Sequence, residues 1–310
     1  MMNKNFTQNR WKFVILPALI IVLGIVMYVV HGGFNFDIEF LGGTRMQVEL
    51  NQEFNNEEIT KEVMDKLNLS AAVQKSGTSS TQAVIKIQNT DDNQAAQANV
   101  MNILKEKYNL ADDVQPTSVS TASANFGLDV QRKTLVYTLI AIICILIYIA
   151  IRFEWRSAVM AVIALAINVV VMAAVYAITN IALNTTFIAA MLTVVGYSIN
   201  NTIVIFDRVR ENMKGRKKTE TVSTLVDRSI VETIGRTLNS TITTLITIVL
   251  IYILGVNTIK EFALPLIVGI VIGAYTSMFI AAPFWASWRE SSMKAKAEAA
   301  AERRAANKKK

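Results

Sequence analysis

One cysteine, Cys144, and one histidine, His31, occur in 310 residues, and no glycine-rich loop runs into Lys-Ser or Lys-Thr. A lone thiol excludes a disulfide within the chain. A single imidazole with no cysteine or second histidine nearby cannot found a zinc-type site, nor complete a Ser-His-acid or Cys-His set. Without a phosphate-cradling loop there is no sign of nucleotide-driven work. These shortages argue against an enzyme. Cys144 falls inside an apolar run, where a packed thiol is expected. His31 follows the first such run and is expected as an interfacial residue.

Apolar length is what the chain has in abundance. Apolar residues make up 52% and mean hydropathy is +0.37, with runs far longer than a soluble core element. The class is a multi-pass membrane protein. The first run, Phe13 to Val30, follows Lys4, Arg10 and Lys12, and the stretch after it (YVVHGGFNF) lacks a small-x-small cleavage pattern, so an uncleaved span is expected. Five more runs can cross about 30 Å of hydrocarbon at about 1.5 Å per helical residue: Leu135 to Ile151, Ala158 to Ile178, Phe187 to Phe206, Ser240 to Leu254 and Phe262 to Phe284.

Six spans put both termini on one side. The Lys and Arg excess falls on that side: the N-terminal tail, the turn at 152–156, the loop with Arg208, Arg210, Lys214, Arg216, Lys217 and Lys218, and the tail ending in Lys308 to Lys310. Positive charge marks the cytoplasmic face. Trp11, Trp155, Trp285 and Trp288 sit beside span ends on the same face, as interfacial anchors do. The net charge of +7 then needs no nucleic acid. The basic tail is expected on anionic lipid or near ribosomal or cytosolic partners, and foremost as a topology signal and solvated tail. The expected organisation is a tail at 1–12, a first span at 13–30, an external domain at 31–133, five spans within 134–285 interrupted by a cytoplasmic loop at 207–238, and a cytoplasmic tail at 286–310.

The external segment alternates strand and helix signals. Thr44 to Leu50 alternates like a strand. Asn55 to Leu69 opens with an Asn cap and acids and places Ile59, Val63, Met64 and Leu67 on one helical face. Two short strands follow (AAVQKS, TQAVIKIQ), then an amphipathic helix over Asp91 to Leu110 and a last strand in VQPTSVSTAS. The order βαββαβ predicts an α+β ferredoxin-like domain. Its open sheet face or edge could receive an extended polypeptide, or the domain could be a spacer.

The run Val194 to Asn212 places Ser198, Asn200, Asn201 and Thr202 deep in a span, and Asp207, Arg208, Arg210 and Glu211 at its exit. Polar groups at depth normally face protein or a water path. Gly196, Ser198 and Asn200 make a small polar face, and Thr237, Ser240, Thr241, Thr243 and Thr244 repeat it at the start of the next span. Close helix packing and a water file are both open. The charges at 207–211 are spaced for local ion pairs.

Three segments in order, DIEFLGGTRMQVEL with Gly42, Gly43 and Thr44, GYSINNTIVIFDRVREN with Asp207 and Arg208, and DRSIVETIGRTLNSTITTL, resemble the signatures of the SecF family of bacterial protein-export subunits. The two glycines are expected to let the backbone bend as it leaves the membrane. The resemblance implies an RND-like half of six spans in the bacterial plasma (inner) membrane, paired with SecD. Together they would use the proton or sodium gradient to help draw unfolded exported polypeptide from SecYEG, with YajC or YidC-like factors as further partners. No bound cofactor is implied, only H+ or Na+ in transit.

Two positions depart from the family pattern. Asn201 stands where an aspartate is usual in the fourth span, and Asn168 stands where the third span usually carries the acid of a His-Asp pair. An amide cannot hold and release a proton. Either the coupling acid belongs to SecD, or the subunit is a non-coupling scaffold or chaperone, or amides serve packing here. An RND-type exporter half is the alternative from another class. Arg236 matches the family arginine at the start of the fifth span. It would have to face an acid on SecD, a lipid phosphate or water, unless it is only a snorkelling positive-inside residue.

Overall fold

The computed structural model describes residues 5–69, 71–76, 81–122, 124–152, 154–217, 219–255 and 257–308. Lys4, Lys218, Lys309 and Lys310, named above, lie outside them, as does residue 153 of the turn at 152–156. Among the described residues six helices are long and apolar enough to cross a membrane.

The external domain forms as its alternation predicts. Strands β1 (Gly43–Glu49), β2 (Ala71–Ser76), β3 (Gln82–Gln88) and β4 (Ser118–Ala122) pair antiparallel in the order β2-β3-β1-β4, with helices α3 (Asn56–Leu67) and α4 (Asn93–Tyr108) between them in sequence. Period-two burial puts Met46, Val48, Ile85 and Ile87 on one sheet face, against Ile59 and Val63 of α3 and Val100 and Leu104 of α4. The Asn55 side chain caps α3 by accepting from the Glu57 N–H, and Asp92 caps α4 by accepting from Ala95. Both helices end on an asparagine in the left-handed region, Asn68 and Asn109. Met64, expected on the buried face, is instead exposed: it follows Val63 directly and so turns about 100° away from it. Lys107 donates to Glu62 at 2.6 Å and holds that carboxyl below its usual range.

The first span is α1 (Arg10–Val30). The segment after it is not a slack tether. His31 Nδ1 lies 3.1 Å from the Ala177 carbonyl oxygen, the Asp37 N–H donates to Leu183 O at 2.9 Å, and Leu183 N–H returns to Asn35 O at 2.7 Å. A short helix, α2 (Ile38–Leu41), follows, and its Glu39 accepts from both the N–H and the hydroxyl of Thr185. Asp37 is buried and paired with the buried Lys86 of β3. Gly43 then enters β1 at φ +148°, where an added Cβ would sit 2.3 Å from Ile87 O. Only glycine fits that close approach.

The remaining spans are α5 (Ala124–Arg152), α6 (Trp155–Thr179), α7 (Thr185–Lys214), α8 (Val222–Leu254) and a last helix made of α9 (Asn257–Thr276), a π turn (Ser277–Ala281) and α10 (Ala282–Lys308). Several boundaries differ from expectation. The first span begins at Arg10, and α5 begins at Ala124, so the expected domain edge at 133 lies inside a helix. The expected loop at 207–238 is largely helical: α7 runs on to Lys214, and α8 starts at Val222, where Thr221 caps it by accepting from Thr224. The expected tail at 286–310 continues the last helix to Lys308. Charges read as loop; here they sit on helix faces and pair across them.

Two side-chain expectations also change. Trp285 is buried against Phe206 rather than anchored at the interface, because α10 is central, while Trp11 and Trp155 are exposed. Cys144 is exposed on α5 rather than packed, since α5 lies at the bundle's edge with most of its apolar surface facing outward.

Candidate functional site

Helix α7 carries two polar stripes that face different neighbours. Ser198 and Thr202, one turn apart, face α6 and the last helix. Asn168 of α6 donates through Nδ2 to Ser198 Oγ at 2.7 Å and accepts at Oδ1 from Thr276 Oγ1 at 2.6 Å. The Thr202 and Ser277 hydroxyls lie 2.8 Å apart, and both reach the Ser198 carbonyl oxygen, at 3.0 and 3.3 Å. All five side chains are buried. Gly273 lets the last helix come this close: an added Cβ would stand 3.1 Å from Ser198 Cβ and Oγ. The π turn begins at Ser277, where the extra residue per turn aims Ser277 at α7.

The second stripe faces α8. Tyr197 reaches Thr241 at 3.4 Å, Arg208 bonds Glu232 at 2.6 Å, and Asn212 bonds Ser229 at 2.9 Å. Residues 197, 201, 208 and 212 share one helical face. The two helices run antiparallel, so Asn201 comes level with Thr237. Both are buried, and neither Asn201 Nδ2 nor Thr237 Oγ1 has a hydrogen-bond partner among the described residues. Buried polar atoms left unpaired cost about 1–3 kcal/mol each, and they need a reason.

The face expected to hold Gly196, Ser198, Asn200 and Thr202 together is thus divided. Ser198 and Thr202 point inward, while Gly196 and Asn200 are exposed. Thr237 and Thr241 are buried and Ser240 and Thr243 exposed, so the fifth span divides in the same way. A groove of about 510 Å³ opens beside α7 and α8, lined by Asn200, Asp207, Arg208, Glu211, Glu232 and Arg236 among others. Arg208 ties the two helices by pairing with Glu232 and with Glu211, each at 2.6 Å, as the spacing of 208 and 211 predicts. Arg236 is exposed in this groove and has no ion pair or hydrogen bond among the described residues. Gly42, Gly43 and Thr44 lie far along the chain from this groove, at the domain's attachment, where the buried Thr44 hydroxyl meets Thr121 at 3.2 Å.

Thr276, Ser277 and the π turn were not singled out by the sequence reading. Their signal was present: a Thr-Ser pair in the middle of the sixth apolar run. No group of three or more His, Cys, Asp or Glu that could hold a metal occurs among the described residues.

A family model described as "Protein export membrane protein SecD/SecF, C-terminal" matches residues 102–291. The "Protein translocase subunit SecF" of Alicyclobacillus acidocaldarius is 36% identical over 294 residues, covering 92% of each chain. The "Protein translocase subunit SecDF" of Bacillus subtilis is 35% identical over 94% of this chain but only 39% of its own length. Among solved structures, SecDF of Thermus thermophilus, described as a translocon-associated membrane protein, superposes with a TM-score of 0.78 at 27% identity, covering 92% of this chain and 38% of that one.

Proposed function

The chain belongs to the SecD/SecF family of protein-export membrane proteins, and from that premise we propose that it is the six-span half that pairs with a SecD half through the α7–α8 groove. Its relatives' names place it in protein translocation, a transport role, as a multi-pass membrane protein. The relatives that carry both halves in one polypeptide are more than twice its length, which leaves room for such a partner.

The observation that carries the reading is Arg236: an exposed guanidinium with no partner among the described residues, in a groove it shares with Asn200 and with the Arg208–Glu232 and Arg208–Glu211 pairs. An unpaired guanidinium on the outward face of a span is best met by an acid on a neighbouring subunit. The outer faces of α1 and α5 contrast with it, since they expose Leu19, Val22, Val26, Leu139, Ile143 and Ile147. Those faces suit lipid.

Ion coupling, on this reading, uses an acid supplied by SecD. Asn168 and Asn201 cannot titrate, and the neutral polar residues at the groove, Asn200 and Thr233, would lie beside the partner's acid. Both termini are cytoplasmic, because the free cations Arg210, Lys214 and Arg236 gather at that end of the bundle. SecYEG and the exported polypeptide complete the assembly.

The test pairs cysteine cross-linking with export. Asn200→Cys should cross-link to a cysteine placed beside the intramembrane acid of SecD, and Arg236→Leu should slow export while protein amounts stay normal. A stable homo-oligomer in mild detergent, with no SecD co-isolated, would instead favour an exporter half or a scaffold.

A further inference from the structure

At the end of the bundle where both termini lie, a second cavity has no role in the reading above. It measures about 540 Å³ and opens between the starts of α6 and α10 and the end of α7, lined by Glu154, Ser157, Arg210, Lys214, Trp285 and Arg289 together with apolar side chains. Arg210 and Lys214 are one helical turn apart on α7, both exposed, and neither has a partner among the described residues. Arg289 donates through Nη1 to both oxygens of Glu154 at 2.5 and 2.6 Å, which neutralises the one acid in the lining. Its Nε, buried, has no acceptor. Trp285 is only 3% exposed, and its indole N–H likewise has none.

The lining therefore includes two exposed cations without a partner among the described residues, Arg210 and Lys214, and two residues with an unused buried N–H donor, Trp285 and Arg289, the former more than nine-tenths buried. Every unmet need is for an acceptor, and an indole N–H and a guanidinium Nε–H have no other use. The apolar lining, Phe206, Val209 and Met213, suits a group carried on a hydrocarbon body. The exposed Trp155, stacked edge-on against Trp288 at 4.9 Å, puts the site at interfacial depth.

We propose that this cavity binds the phosphate of an anionic phospholipid headgroup, with Trp285 and Arg289 donating to phosphate oxygens from within and Arg210 and Lys214 closing over it from α7. Basic pockets between spans at the membrane surface take anionic headgroups in this way. A lipid seated there wedges between α7 and α10 beside the α7–α8 loop, and so tightens the end of α7 that carries Arg208.

The full-length chain, purified in mild detergent, is titrated with phosphatidylglycerol and phosphatidylcholine and read by native mass spectrometry, with inorganic phosphate as competitor. The expected result is retention of phosphatidylglycerol over phosphatidylcholine, weakened about tenfold in the exposed double variant Arg210→Gln/Lys214→Gln. Trp285→Phe, which keeps the ring and removes the donor, should weaken it as well. Equal retention of the two lipids, or an Arg210→Gln/Lys214→Gln chain that binds phosphatidylglycerol like the parent, overturns the proposal. Displacement by inorganic phosphate with no lipid preference overturns the lipid source. The double variant replaces exposed side chains, so its folding is not at stake.

Discussion

Asn168 and Asn201 are both buried amides in neighbouring spans, yet their surroundings differ. Asn168 is tied at both ends, donating to Ser198 and accepting from Thr276. Asn201 keeps an unpaired Nδ2 level with the unpaired Thr237 hydroxyl. The same side chain thus makes a closed joint in one place and an open one in the other. A satisfied amide between helices is a packing device. The Asn201 amide lies instead on the α8 side, level with Thr237 and one residue from the groove-lining Asn200.

This contrast can be broken by mutation. Asn168→Ala should cost most, about 2–3 kcal/mol, because it leaves a cavity and strips partners from Ser198 and Thr276; unfolding in detergent measures it, and a loss no greater than that of Asn201→Ala would erase the distinction. Arg236→Leu should leave that stability intact and weaken pairing with SecD by about 2 kcal/mol, read by co-purification and by export. Asn201→Leu should change unfolding by no more than about 1 kcal/mol in either direction, since no bond of its Nδ2 is lost. Thr237→Val is the mildest, within about 0.5 kcal/mol, and a larger destabilisation would mean that its hydroxyl is already bonded. Asn201→Asp sharpens the comparison from the other side: export should become more dependent on the gradient, and an unchanged dependence would remove this position from any coupling role.

Much of the fold was legible because it rests on local periodicity. The six apolar runs, the strand alternation of Thr44 to Leu50, and the cap at Asn55 each declare themselves within a few residues. The helical stretch on either side of 215–221 did not, because its charges resemble a loop until Arg208 meets Glu232, 24 positions away. Trp285 read as an anchor for the same reason: its place near a span end is visible in sequence, whereas its burial against Phe206 depends on which helix occupies the centre. Asn168 and Asn201 were recognisable as departures, but not as different from one another. That difference is made by Thr276, 108 positions from Asn168, and by a π turn that no pattern of hydropathy announces.

The attachment of the external domain has a mechanical meaning. Glu39 grips the first residue of α7 at Thr185, while Asn35 and Asp37 hold Leu183 just before it, and the Asp37–Lys86 pair locks the same segment to the sheet. These contacts give a load on the domain a hydrogen-bonded route to the outer end of α7 in place of a loose string. Turning that helix by one residue, about 100°, would carry Asn201 away from α8 and bring Asn200 into its place. The domain is a crank handle fitted to the one shaft that bears both polar stripes.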